Sequence, residues 1–118
     1  MALHQDQMRT WFVCVDGSTH SMAAVRFLNR FLKPRDSVIF FHAVPYPDLP
    51  EKYDKVARNY LDVAEKQLSV QDVKVDKRVQ RSEQDVREDI FEQAKFLGSD
   101  YIVTGSQGWK PHFRQSLN

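Results

Sequence analysis

The chain has 118 residues and a mass of 13.8 kDa, enough for one domain that hides roughly two-thirds of the surface exposed by its unfolded form. Hydrophobic residues at 42% beside 28% charged fit a packed globular domain and argue against a disordered chain. Lys+Arg number 17 against 16 Asp+Glu, a net charge of +1, which is too balanced for a nucleic-acid binder. No apolar run reaches membrane-spanning length, and Met1 to Thr10 lacks the apolar centre of a signal peptide. The single cysteine, Cys14, cannot form an internal disulfide or a multi-cysteine zinc site, so the expected setting is the reducing cytoplasm.

In chain order, residues 1–9 are polar and without period and read as a flexible leader, with the domain occupying 10–118. Trp11-Phe-Val-Cys-Val15 is a continuous β-branched and aromatic run, suited to a strand covered on both faces, and Asp16-Gly17-Ser18 stops it. Ser18 or Thr19 caps a predicted helix to about Leu32, with Met22, Val25, Leu28 and Leu32 along one side, before Pro34 and Asp36 break it. Val38 to Val44 is a second buried strand, closed by Pro45, Pro47 and Pro50. Tyr53, Val56, Ala57, Tyr60, Leu61, Ala64 and Leu68 keep helical spacing. Val73, Val75 and Val79 alternate with charged residues, as in a half-exposed edge strand. Ser82 and Asp85 have capping-box spacing ahead of a stripe at Val86, Ile90, Ala94 and Leu97, which Gly98 terminates. Glu83, Asp85, Glu88, Asp89 and Glu92 read as the solvated face of that helix. Tyr101-Ile-Val-Thr104 is a fourth strand, ending in Gly105-Ser-Gln-Gly108.

Strands alternating with helices imply right-handed parallel crossovers and an open α/β sheet with helices on both faces. Covering both faces requires a reversal of direction, and strand order 3-2-1-4 supplies it. The switch then lies between strands one and four, where ligands of such sheets bind. Both flanking strands end in glycine-containing turns. These allow close backbone approach and present N–H groups to phosphate, beside the positive end of the first helix. Asp16 can accept hydrogen bonds from a ribose hydroxyl or an adenine amino group.

Val15-Asp-Gly-Ser18, Phe41-His-Ala-Val-Pro45 and Asp100-Tyr-Ile-Val-Thr-Gly-Ser-Gln-Gly108 together resemble the universal stress protein family, over about residues 10 to 110. The resemblance implies a Rossmann-like fold of the adenine nucleotide alpha hydrolase type. It also implies a stress-response regulatory role, binding of ATP, AMP or another adenine nucleotide with or without Mg2+, and homodimerisation. The implied nucleotide-binding set comprises Val15, Asp16, Gly17, Ser18, Ala43, Val44, Gly105, Ser106 and Gly108, with Asp16 and Ala43 at the nucleoside. Lys110 is a candidate to neutralise phosphate by charge. The family's Gly-x2-Gly-x9-Gly followed by Ser or Thr is present here only in its first half, because position 118 is Asn. The family's usual last helix and fifth strand are likewise not expected within these residues. No base, water-positioning group or magnesium ligand stands out, so at most slow ATP hydrolysis is expected and no catalytic residue is assigned. His20, His42 and His112 lack acidic or thiol neighbours at ligand spacing, so no metal site is expected. Cys14 reads as a packed thiol. The competing reading is an interaction module without nucleotide, pairing through an exposed fourth-strand edge.

Overall fold

The computed structural model describes residues 8–44, 49–82 and 85–105, and the backbone of 111–114. Strand β1 (Thr10–Cys14) leads through helix α1 (Thr19–Leu28) to β2 (Ser37–Val44), then through α2 (Lys52–Lys66) to β3 (Lys74–Arg81) and through α3 (Val86–Phe96) to β4 (Tyr101–Gly105). A short β5 (Pro111–Arg114) follows. The sheet order is β3-β2-β1-β4-β5. The first four strands are mutually parallel, with Phe12 level with Ile39 on one side and with Ile102 on the other. The expected 3-2-1-4 arrangement is therefore present, and β1 and β4 are neighbours.

Reversing the direction of travel after β3, with the hand of the crossover kept, moves the third helix to the opposite face. Trp11, Val13, Val15, Val38, Phe40 and Val103 accordingly pack with Ala24, Val25, Leu28, Leu61 and Ala64 of α1 and α2. Phe12, Ile39, Phe41 and Ile102 face Ala94 and Ile90 of α3. A central strand that buries both faces needs the unbroken apolar runs seen in β1 and β2, whereas β3 keeps its alternation because it forms one margin of the sheet.

Four local readings differ from expectation. First, α1 ends at Leu28 rather than Leu32, because the amides of Asn29, Arg30 and Phe31 bond three residues back at 3.2, 3.1 and 2.9 Å. The Asn29 side chain also ties this end to the close of α2, donating to the Gln67 carbonyl at 2.8 Å and accepting from the Ser69 amide at 2.9 Å. Second, the cap of α3 is Asp85, whose carboxylate accepts from the Arg87 amide at 2.8 Å. Ser82 instead donates its hydroxyl to Asp89, and both residues are buried, so Asp89 does not belong to a solvated acidic face.

Third, the expected leader does not extend to residue 9. Arg9 is held by Asp36, a buried carboxylate that also accepts from the Trp11 indole at 3.1 Å and the Lys33 amide at 3.0 Å. Fourth, the fourth strand has no open edge. Antiparallel β5 pairs with it from Ile102↔Arg114 to Gly105↔Pro111, which removes the surface on which edge pairing was expected. Pro111 is tolerated there because an outermost strand can spare an N–H. Gly98 terminates α3 as expected, with φ +70°.

Candidate functional site

The carboxyl ends of β1, β2 and β4 surround a cavity of about 210 Å³. Cys14, Val15 and Asp16 form its β1 side, Phe41 to Ala43 its β2 side, and Thr104 with Gly105 its β4 side. Val86 and Ile90 of α3 close it with an apolar wall, and Ser21 of α1 borders it. Its position is the topological switch, where two neighbouring strands send their chains in opposite directions.

Asp16 is exposed at the tip of β1. One carboxylate oxygen accepts from the Ser18 amide at 2.9 Å. Burial opposes ionisation, but hydrogen bonding, from Ser18 foremost, outweighs it and holds the carboxyl below its ordinary value. At neutral pH the cavity thus carries a charged acceptor suited to hydroxyl or amino donors. Ser18 is engaged as the cap of α1, its hydroxyl accepting from the Ser21 amide at 3.1 Å. Ser21 returns a hydroxyl bond to the Ser18 carbonyl at 3.0 Å.

The two glycines owe their identity to different constraints. Gly17 has φ +83°, a left-handed conformation, and a β-carbon there would lie 2.6 Å from the ring of Tyr60. At Gly105 a β-carbon would meet the His20 carbonyl group at 2.7 Å and the Ser21 amide at 2.8 Å. Gly105 therefore lets β4 approach the first turn of α1, and that packing brings the two strand tips together.

Val15 is buried and contributes its backbone. Its amide donates to the Phe41 carbonyl at 2.9 Å and its carbonyl accepts from His42 Nδ1 at 2.6 Å. Ala43 lines the cavity, whereas Val44 is fully buried outside its wall and accepts from the Ser82 amide at 2.9 Å. Ser106, Gly108 and Lys110 lie outside the described residues. Cys14 is half-buried at the cavity, its thiol pushed up to about 12 by burial with the Asp16 charge adding to the effect.

The sequence places His42 beside the crevice as a hydrogen-bonded strand residue, as found, but not the tyrosines of α2 that support it. His42 is buried and meets Tyr53 Oη at 3.2 Å and the ring of Tyr60 at 5.7 Å between centroids. The available signal was the spacing of Tyr53 and Tyr60, two turns apart on the apolar side of α2. Val86 and Ile90 were legible only as a helical stripe.

The described residues fit the nucleoside part of a nucleotide. Asp16 offers an acceptor, Ala43 a small neighbour at the β2 tip, and Val86 with Ile90 an apolar surface for a base.

An open parallel α/β domain with a crevice at its switch point is the class that the fold and cavity define. Its sequence matches the universal stress protein family over residues 8–117, and the chain belongs to that family. Among solved structures it is similar to a universal stress protein family member from Burkholderia pseudomallei, at 20% identity and a TM-score of 0.64, covering 85% of this chain and 83% of that one. It is also similar to a protein from Mycobacterium tuberculosis, at 21% identity and a TM-score of 0.59, covering 82% and 70%. No curated protein matches it in sequence.

Proposed function

We propose that this domain binds an adenine nucleotide in the β1–β4 crevice and acts as a regulatory, stress-responsive binding module. The observation that carries the reading is that Asp16, Ala43 and Gly105, at or just beyond the ends of three different strands, converge on one cavity at the switch point. In this reading the Asp16 carboxylate accepts from ribose hydroxyls or the adenine amino group, and Val86 and Ile90 cover the base. The phosphates then point toward the chain that follows Gly105, where Ser106, Gly108 and Lys110 stand in sequence. Magnesium, if carried, rides on the phosphates, since Asp16 is the one carboxylate among the described residues lining the cavity.

Isothermal titration with adenosine, AMP, ADP and ATP, with and without magnesium, tests it. Saturable binding stronger than millimolar that is lost in Asp16→Ala is the expected result. Heats that never saturate for any of the four remove the proposal.

A further inference from the structure

Beneath the crevice, a backbone carbonyl and two side chains connect its carboxylate to a helix that does not line it. The Val15 carbonyl is an acceptor only, so His42 Nδ1, 2.6 Å away, must carry the proton. In the neutral ring Nε2 then presents a lone pair, and Tyr53 Oη at 3.2 Å donates to it. Tyr53 remains a phenol able to donate, because burial raises its pKa and the neighbouring Tyr60 and Asp16 add to the rise. Tyr53 itself is anchored. Arg81, at the end of β3, donates to the carbonyls of Leu49 at 2.6 Å and Pro50 at 3.2 Å, and to Asp54 at 3.0 Å. The start of α2 is thus clamped on both sides of the tyrosine.

The Val15 carbonyl belongs to the same planar peptide unit as the Asp16 N–H. Fixing that oxygen fixes the plane, and with it one side of the Asp16 Cα. The Ser18 amide holds the carboxylate from the other side. Below the turn, the Tyr60 ring occupies the space that a side chain at Gly17 would take.

We infer that His42 is a positioning residue for the nucleoside site, passing the placement of the start of α2 through Tyr53 and the Val15 carbonyl to the Asp16 carboxylate. The inference rests on the proposed nucleotide reading and adds to it a route of regulation: whatever displaces the start of α2 alters affinity in the crevice. By linkage, filling the crevice steadies that part of α2 in return.

The test compares His42→Leu, His42→Asn and Tyr53→Phe with the wild-type chain. Leu removes the donor to Val15, Asn replaces it near the Nδ1 position, and Phe removes only the outer hydroxyl. A single hydrogen bond corresponds to a change of roughly three- to tenfold in an equilibrium constant. Adenosine affinity is therefore expected to fall about tenfold in His42→Leu, to recover in large part in His42→Asn, and to fall about threefold in Tyr53→Phe. Without ligand, nitrogen-15 spectra of the ring are expected to show a protonated Nδ1, and hydrogen exchange at the Ser18 amide is expected to quicken in Tyr53→Phe while Ile102 in β4 is unchanged. If His42→Leu does not fold, Tyr53→Phe carries the comparison. Adenosine binding that all three variants leave intact, or a ring protonated on Nε2 alone, overturns the positioning role while the nucleotide reading stands. A wild-type chain that binds no adenosine removes the nucleoside site itself, and the inference with it.

Discussion

Asp16 is the residue on which the candidate site turns, and its ionisation has a consequence for stability. Its folded-state pKa lies below the ordinary 3.8. The stabilisation from its hydrogen bonds is therefore complete above that value and is lost as pH falls through the folded pKa. Urea unfolding followed from about pH 5 to about pH 2 is expected to show a smaller acid-induced loss for Asp16→Asn than for the wild-type chain. The glycines give a second prediction. Gly98→Ala meets no neighbour within 4 Å and carries only the strain of a positive φ, about 1 kcal/mol. Gly17→Ala adds a displaced Tyr60 ring, which can turn aside. Gly105→Ala collides with the backbone of α1, which cannot, and is expected to cost about 1–3 kcal/mol. Denaturant midpoints should fall furthest for Gly105→Ala.

Among the elements, α3 is attached by a polar contact as well as by packing. Ser82 donates to the buried Asp89, so Ser82→Ala takes a hydrogen bond from a buried carboxylate and is expected to destabilise by about 1–3 kcal/mol. In Asp89→Asn the side chain still has an oxygen to accept from Ser82, so equilibrium unfolding should show a smaller loss. The elements themselves were largely legible in the sequence, because buried strands and amphipathic helices carry different apolar periods. The failures share one cause. Asn29, Asp36 and Asp89 look like breakers or surface residues in isolation, and each has a partner at least seven positions away. The same holds at the site. Asp16, Ala43 and Gly105 were found because strand ends and a switch point can be inferred from element order. The His42–Tyr53 contact depends on how α2 lies on the sheet, which no local pattern specifies. The fifth strand escaped notice because a run of four beginning with Pro111 has too little periodicity to declare itself.

At the scale of the whole molecule, the sheet is covered by α1 and α2 on one face and α3 on the other. This arrangement brings the tips of β1 and β4 side by side and leaves a hollow above them. The larger core joins α1 and α2 to β1 and β2, and it keeps the hollow in shape. Leu61, fully buried within it, is expected to cost about 2–5 kcal/mol when cut to Ala, read as a lower denaturant midpoint. Crevice geometry, helix placement and strand order are in this sense one property, and nucleotide binding is the function they support best. The direct test is a residue-resolved amide chemical-shift titration with AMP. The account predicts that the largest shifts cluster at Asp16, Ala43 and Gly105 and vanish in Asp16→Ala. Shifts centred instead on β3 or the outer face of α2, or none at saturating AMP, would contradict it.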